Sequence, residues 1–325
     1  MTRTARRGFT TTRALAAVAI GAALMVPGAS ATPLAGGGVG CAPGAPAAGA
    51  SAEPTDATYA DHAEDTADEA AEREYRAALE IGGSRLARTA QAASPTVTVW
   101  LHNLHETDAG RMDNQEALDA VARLNNAYAG AQGGVDTDVT FVYAGYENIR
   151  VANANLDLDS DRARSLTRQY HRGGTRTLNV YTAASIGDDG STTGLNGRAT
   201  FPWDVDERPN LDGVWLDHQV MPGVPGGSTI RNGDTLVHEV GHWLGLYHVF
   251  QEGCSAPDDR VADTGRMSSA SAGRTDCDAR NSCGGDDGRG DPVRNFMSYT
   301  QDGCRDLFTA GQRARIHNMW SLHRA

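Results

Sequence analysis

The chain has 325 residues, of which 40% are hydrophobic, so it is long enough to bury a sizeable core. Its formal net charge is −12, and no stretch rich in Lys or Arg follows the first residues. Because nucleic-acid phosphates require a basic protein face, this charge balance excludes a nucleic-acid-binding protein.

The N-terminus has the three parts of a secretory signal peptide, predicted over residues 1–31. Arg6 and Arg7 belong to a positively charged start. An apolar run from Ala14 to Val26 follows, and the small residues at 29–31 suit signal cleavage. The run is too short to cross a bilayer, so we expect a secreted, extracellular product without stable membrane insertion. The choice between the general and the twin-arginine export route stays open.

The next stretch, residues 32–94, has the composition of a pro-segment. From Thr32 to about Ala52 it is nearly all Ala, Gly and Pro, which cannot bury enough apolar surface to fold, so we predict disorder there. Tyr75, Leu79 and Ile81 add a thin apolar stripe to an acidic, Ala-rich region. This pattern is typical of one marginal helix.

A folded domain is predicted over residues 95–325. Apolar alternation predicts strands, and a 3.6-residue apolar period predicts helices. In chain order, the predictions are a strand over Val97–Leu101, a helix over Asn114–Tyr128, a strand over Val139–Tyr143, a helix around Asp159–Tyr170 and a strand over Thr177–Tyr181. The inner face of the first helix is assigned to Leu118, Val121, Leu124 and Ala127 or Tyr128. Strands that alternate with helices predict a mostly parallel or mixed sheet covered by helices.

Residues 238–248 read HEVGHWLGLYH and match the pattern HExxHxxGxxH at every specified position. His238 and His242 are four residues apart, so on a helix they project from one face toward a common point. Gly245 can adopt the left-handed conformation that ends the helix, and the resulting turn lets His248 reach the same point. We therefore predict a zinc site with three imidazole ligands and a fourth position left for water.

The same helix carries the predicted general base. Glu239 is expected to take a proton from the water as the peptide carbonyl is attacked, and to deliver that proton to the leaving amine. Asp234 or Thr235 is expected to cap the start of the helix. A lone buried histidine is more often satisfied by core hydrogen bonds, but three at this spacing, with Glu and Gly in place, favour the metal site.

The long motif is the metzincin signature, which requires a methionine-containing turn downstream, and Asn295–Tyr299 supplies one. More narrowly, the chain resembles the pappalysin (M43, cytophagalysin-like) family of metzincins from about residue 97 to about residue 316. Besides the histidine motif, the resemblance rests on Thr177–Thr182, Ala199–Trp203, Gly233–Thr235, Val261–Thr264, Asn295–Tyr299 and Phe308–Gln312.

The resemblance implies roles for residues outside the histidine motif. Met297 is expected to form a hydrophobic floor beneath the histidines, and Tyr299 to lean toward the metal and stabilise the oxyanion. The stretch Gly194–Thr200 is expected to be the edge strand that pairs with the substrate backbone. Without the upstream motif, the three features would be interpreted as a core methionine, a packed turn residue and a simple edge strand.

The fold that the resemblance implies is α+β. An α/β upper subdomain with a mixed sheet is expected to hold the zinc helix, above a loop-rich, disulfide-bonded lower subdomain that closes on a C-terminal helix. Thr309 and Gln312 form a capping box for that last helix. Its inner face is assigned to Ile316, Met319, Trp320 and His323.

Cysteine use agrees with export, because an even set follows the histidine motif: Cys254, Cys277, Cys283 and Cys304. Their spacing lacks the CxxC pairs of a structural zinc site and by itself permits three connectivities. The family pattern implies the pairs Cys254–Cys283 and Cys277–Cys304. Cys41 is then left over in the pro-segment, and we hypothesise that its thiolate occupies the open zinc position in the zymogen.

An acidic loop offers candidate ligands for a second metal. Asp258, Asp259 and Asp263 could bind Ca²⁺, as this region does in family members, because hard cations select oxygen ligands. A solvated acidic loop explains the same residues equally well.

The function predicted from these features is zinc-dependent hydrolysis of internal peptide bonds in extracellular proteins, with proteins or peptides as substrates. The alternative is a catalytically idle, secreted zinc-binding module that recognises a partner protein, although retention of Glu239 argues against it. A hydrolase of small substrates is a third alternative. The sequence leaves the oligomeric state open.

Overall fold

The structure is a computed structural model that describes residues 70, 72–77, 94–224, 232–270, 277–284 and 289–325. The predicted signal peptide, Cys41 and most of the predicted pro-segment lie outside these residues. Seven strands occur in the described part: β1 (Thr96–His105), β2 (Thr140–Arg150), β3 (Asn155–Asp157), β4 (Thr177–Ala183), β5 (Ser185–Gly187), β6 (Gly197–Ala199) and β7 (Val214–Asp217).

The helices of the described part surround these strands. They are α1 (Asn114–Tyr128), α2 (Asp161–Tyr170), α3 (Asp204–Glu207), α4 (Asp234–Trp243) and α5 (Ala310–His323), with 3₁₀ turns at Asp108–Gly110, Pro209–Leu211 and His218–Val220. Residues 72–77 are also helical and are called the upstream helix below. Among the described residues, no helix combines the length and the apolar character that a membrane span requires.

The main sheet has five strands in the order β2-β1-β4-β7-β6. Its first four strands are parallel, and β6 pairs with β7 in the antiparallel direction at one end of the sheet. A second, two-stranded parallel sheet joins β3 to β5. The predicted α+β fold with a mixed sheet is confirmed.

The inner strand β4 is buried on both faces, as expected within a largely parallel sheet, whereas the edge strand β2 is partly exposed. Alternate residues of β1 point to opposite faces, so Val97 and Val99 lie in the large core cluster that also contains apolar side chains of α1 and α4. Leu104 of β1 lies in a second cluster on the other face, together with Ala163 of α2 and Trp215 of β7. The sheet therefore holds α4, the helix of the histidine motif, against one face.

The helix α1 has the predicted bounds, but the assignment of one residue, Leu118, to its inner face is wrong. Leu118 is 38% exposed. The buried stripe consists of Ala117, Ala120, Val121, Leu124, Ala127 and Tyr128. Because these positions recur at three- and four-residue intervals from Ala117, the next residue, Leu118, is rotated about 100° away from the core.

The predicted strands are present and longer than predicted. The additional residues of β1 include His102 and Asn103, which are buried although they are polar. His102 Nε2 lies 3.0 Å from Asn179 Oδ1 of β4, and Asn103 Nδ2 donates to Asn148 Oδ1 of β2 at 2.8 Å. Pairing across the sheet thus extends the strand beyond its apolar pattern.

Two helix starts test the capping predictions. The box of Thr309 and Gln312 is confirmed, because each side chain accepts the backbone N–H of the other residue. At α4 the prediction is wrong: the N-cap is Gly233, with φ of 78°, and no side chain caps it. Asp234 instead accepts a hydrogen bond from Arg123 Nε of α1 at 3.1 Å, which ties the two helices together.

The chain between α4 and α5 is rich in loops and carries both disulfides of the described part. Cys254 is bonded to Cys283 and Cys277 to Cys304, which is the pairing that the resemblance implies. The inner face predicted for α5 is buried at Ile316, Met319, Trp320 and His323. This part of the chain therefore closes on the last helix as expected.

Candidate metal centre and active site

The histidine motif begins on α4, where every residue is buried. His238 and His242 lie one helical turn apart on the same face. Gly245 has φ of 96°, the left-handed conformation predicted for it, and the N–H of Leu246 bonds back to the carbonyl of Gly241 at 2.9 Å. This reversal ends the helix and returns the chain, so that His248 faces the first two histidines.

The three imidazoles converge on one point. The Nε2 atom of His242 lies 3.1 Å from Nε2 of His238 and 3.1 Å from Nε2 of His248. All three side chains are buried. One ligand atom from each of the three histidines lies within 4.8 Å of the other two, which is close enough for all three to bind one metal ion. Among the described residues, no other cluster of three or more such side chains was found.

Backbone carbonyls orient two of these rings. Nδ1 of His238 donates to the carbonyl oxygen of Phe296 at 2.7 Å, and Nδ1 of His242 donates to that of Leu246 at 2.8 Å. With the proton held on Nδ1, the lone pair of each Nε2 points into the centre.

Burial also keeps the imidazoles neutral. It lowers the pKa of His242 to about 4, and it is the main reason why the pKa values of His238 and His248 lie well below their usual range. Three neutral imidazoles that share a focus are the donor set of a catalytic zinc site, so the residues present fit zinc.

The methionine turn lies directly beneath α4. Met297 is fully buried, and a Cβ added to Gly241 would lie 2.3 Å from the Met297 sulfur, so this glycine admits the sulfur against the helix backbone. The turn is closed by the side chain of Asn295, which accepts the N–H of Met297 at 2.9 Å. The sulfur thus packs against Gly241, the residue that precedes His242 in the sequence.

Two aromatic rings flank His248. The hydroxyl oxygen of Tyr299 lies 2.9 Å from Nε2 of His248, within hydrogen-bonding distance, so the turn residue singled out in the sequence reaches the metal-facing nitrogen. Phe250 stacks on the His248 ring with centroids 4.7 Å apart and an angle of 10° between the planes. Phe250 was not predicted from the motif, because its proximity to His248 in sequence carries no signal of stacking.

Glu239 projects from α4 toward β6. It is buried, and a Cβ added to Gly197 of β6 would lie 2.6 Å from Oε1 of Glu239. The carboxyl group therefore fills the space that a larger residue on the strand would need. The only sequence signal for this contact was a glycine inside the predicted edge strand, which is observed over Gly197–Ala199.

The three aspartates predicted to bind calcium are engaged with protein groups. Their donors are Arg266 Nε for Asp258, Thr264 Oγ1 for Asp259 and Thr309 Oγ1 for Asp263, at 3.2, 2.7 and 2.6 Å. Within the described residues they do not form a convergent set of ligands. The calcium prediction is therefore not supported, whereas the predicted zinc ligands are together.

This combination of fold and centre defines a class of enzyme. A histidine triad that leaves α4 through a glycine turn and rests on a methionine turn, beside a mixed sheet that ends in an antiparallel strand, is the arrangement of metzincin zinc peptidases. The sequence model of the Peptidase M43 family, described as pregnancy-associated plasma protein-A, matches residues 162–321.

Curated relatives agree with this match. An extracellular metalloprotease of Verticillium alfalfae is 36% identical over 243 residues, which are 72% of this chain and 78% of that protein. An extracellular metalloprotease of Neurospora crassa is 34% identical over 245 residues, which are 73% of this chain and 78% of that protein. The chain belongs to the Peptidase M43 (pappalysin) family of metzincins and is a metalloendopeptidase.

Solved structures show the same fold. Mature mirolysin of Tannerella forsythia in complex with a cleaved peptide has a TM-score of 0.57 at 23% identity. The match covers 69% of this chain and 91% of the mirolysin chain. A promirolysin mutant from the same organism has a TM-score of 0.63 at 21% identity and covers 79% of this chain and 90% of its own.

Proposed function

We propose that this metalloendopeptidase is secreted and hydrolyses internal bonds of extracellular proteins, with Glu239 as general base and general acid. The observation that carries the proposal is the position of the Glu239 carboxyl group, one residue after the first of three converging imidazoles and buried beside them. Retention of this acid on α4 favours an enzyme over an idle zinc-binding module.

His238, His242 and His248 would hold the zinc ion that the family implies. A bound zinc ion supplies Lewis-acid chemistry, since it polarises a peptide carbonyl and lowers the pKa of a water molecule to about 7. The carbonyls of Phe296 and Leu246 keep two of the rings in the tautomer that this binding requires.

Glu239 and Tyr299 would handle the proton and the developing charge. The carboxylate of Glu239 accepts a proton from the attacking water and passes it to the amine nitrogen as the peptide bond breaks. The hydroxyl of Tyr299 lies 2.9 Å from Nε2 of His248, at the focus of the three imidazoles. From this position it could donate a hydrogen bond to the oxyanion that forms on the carbonyl oxygen.

The substrate is proposed to bind as an extended peptide beside β6. This strand is the last of the main sheet in the described part of the chain, and its Gly197 lies against Glu239. A peptide that added to the sheet there would bring its backbone next to the general base. Mature mirolysin, which shares the fold, has been solved in complex with a cleaved peptide, and this agrees with a peptide substrate.

Secretion is supported by two independent observations. Residues 1–31 have the pattern of a signal peptide. The curated relatives are named extracellular metalloproteases. We further propose that residues of the 32–94 segment maintain latency through Cys41. Cys41→Ala should raise the activity of the unprocessed protein, and an unchanged inactive precursor would refute this part of the proposal.

The test of the function uses purified protein, before and after limited proteolytic activation, with casein as substrate. We expect one zinc per chain by elemental analysis and activity that a chelator abolishes. Glu239→Gln should keep the zinc but lose about 10³-fold in activity, because it cannot take up the proton. Glu207→Gln, an exposed substitution on α3, is the matched control and should retain wild-type activity.

The outcomes separate the alternatives. Equal activity in wild type and Glu239→Gln would refute the role of Glu239. Zinc-loaded, activated wild-type protein without activity on any substrate would favour the idle module. Mass spectrometry of peptide-library products distinguishes the remaining alternative, because cleavage only at peptide termini would contradict an endopeptidase.

A further inference from the structure

The upstream helix, within the predicted pro-segment, packs on the catalytic domain. Glu72 is 4% exposed and forms a buried ion pair with Arg315 of α5. Tyr75, one turn later, packs against the hydrophobic cluster of Phe201, Trp203, Tyr247 and Met319. The upstream helix thus contributes a buried carboxylate to the interior, where acidic side chains are rarely found unless they are paired.

Arg315 connects this helix to the zinc-binding turn. Its Nε donates to the carbonyl oxygen of Gly245 at 2.7 Å. Its guanidinium group lies over the rings of Tyr247 and Tyr75, 4.9 and 5.1 Å from their centroids. Gly245 and Tyr247 both belong to the turn that joins the second histidine ligand, His242, to the third. The side chain of Arg315 therefore contacts the upstream helix on one side and the ligand turn on the other.

The turn has little room to adjust if this contact changes. A Cβ added to Gly245 would lie 2.6 Å from Met319 Cγ and 3.2 Å from Pro202 Cγ. Phe201 meets the ring of His242 edge-on, with centroids 5.4 Å apart. Because the surroundings are packed this closely, a shift of the Gly245 carbonyl would be transmitted to the histidines on either side.

The charge of Arg315 requires a partner in this position. Arg315 is 1% exposed, and a buried cation without its anion is strongly unfavourable. Asp259 also interacts electrostatically with Arg315, but burial raises the pKa of Asp259 to about 7, which weakens it as a counter-charge near neutral pH. The direct ion pair is made by Glu72.

We propose that the upstream helix is a lasting part of the active enzyme, and that Glu72 is a positioning residue that acts through Arg315 on the turn between the second and third zinc ligands. This inference rests on the proposed zinc site. The part of the 32–94 segment that is removed on activation then excludes residues 72–77.

The test uses the full exported chain loaded with zinc, in four forms: wild type, Glu72→Gln, Glu72→Ala and the control Glu74→Gln. Glu74 is exposed on the same helix. Zinc release to a chromogenic chelator is measured, and so is the visible spectrum of the Co²⁺-substituted protein, which reports ligand geometry. We expect Glu72→Ala to release zinc about tenfold faster, with an altered cobalt spectrum, because outer partners of ligands typically have effects of this size.

Glu72→Gln keeps a hydrogen-bond acceptor of the same size, so it should fold even if the alanine variant does not, and should also release zinc faster than wild type. Glu74→Gln should match wild type. The intact mass of the active form, or of its tightly bound fragments, should include residues 72–77. Unchanged zinc release and cobalt spectra in both Glu72 variants, even with a lowered melting temperature, would overturn the proposal, as would a fully active form that lacks residues 72–77. Absence of zinc from the wild type would instead refute the proposed function itself.

Discussion

Gly197 lies against Glu239, so that a Cβ at position 197 would be 2.6 Å from Oε1 of the carboxyl group. The two residues come from different elements, β6 and α4. The contact means that the end strand of the sheet restricts where the proposed general base can point.

Gly197→Ala should therefore reduce catalysis without removing the metal. The methyl group would displace the Glu239 carboxyl group, and we expect kcat to fall by about 10²-fold, the lower range for loss of general-base catalysis, with zinc content unchanged. Casein cleavage and elemental analysis measure both quantities. Gly174→Ala is the matched control, since a Cβ there has no atom within 4 Å. Equal kcat in Gly197→Ala and Gly174→Ala would contradict the conclusion that β6 restricts the position of the Glu239 carboxyl group.

Tyr299→Phe removes the hydroxyl that contacts His248 Nε2 and leaves the edge-on ring contacts with His248 and Phe250 in place. If the hydroxyl stabilises the oxyanion, kcat should drop by about 10²-fold with little change in KM, as for other oxyanion donors. Peptide-cleavage kinetics with stoichiometric zinc provide the measurement. Tyr143→Phe removes a hydroxyl that bonds to Asn114 at 3.1 Å near the protein surface, and should leave kcat as it is. A Tyr299→Phe variant with wild-type kcat would limit Tyr299 to a packing role.

Arg324→Ala should be strongly destabilising. Arg324 is fully buried, donates to both carboxylate oxygens of Asp212 at 2.8 and 3.0 Å, and lies 3.5 Å from the centroid of Trp243 on α4. Its loss leaves a buried carboxylate without its counter-charge, so the free energy of unfolding should fall by about 3–5 kcal/mol. Urea denaturation of the zinc-loaded protein measures this.

Arg294→Ala is the comparison for that measurement. Arg294 pairs with Asp306, but its side chain is 56% exposed, so the loss should stay below about 1 kcal/mol. Similar losses for the two arginines would mean that burial does not determine the strength of these ion pairs.

Asp259→Asn should become stabilising as the pH rises. Burial raises the pKa of Asp259 to about 7 in the folded protein from a reference value of 3.8. Between these values the folded state keeps a proton that the unfolded state has released, so this residue makes stability fall with increasing pH. The asparagine variant does not titrate, and its advantage should grow by on the order of 1–3 kcal/mol between pH 4.5 and pH 7.5.

Urea denaturation of the metal-free wild type and of metal-free Asp259→Asn at the two pH values tests this. A stability advantage that stays constant with pH would contradict the prediction. If Ca²⁺ stabilised the wild type but not Asp259→Asn, that result would support the calcium site, which the geometry does not.

The structure also shows which predictions depended on local signals alone. The bounds of α1, the capping box of Thr309 and Gln312, and the left-handed Gly245 each follow from residues within one or two turns of the chain. The failed predictions did not. Leu118 is exposed because of how α1 is rotated on the sheet, and Asp234 does not cap α4 because Arg123, far away in sequence, engages its carboxylate.

By itself, the sequence predicted the three histidines that converge in the structure and the proposed general base, because helix geometry places residues four apart on one face whatever surrounds them. Only the tertiary structure decided what orients and encloses them: the Phe296 carbonyl behind His238, Gly197 against Glu239, and Glu72 behind Arg315. Those contacts join segments distant in the chain. They depend on how sheet, helices and loops pack together, and no local periodicity encodes that packing.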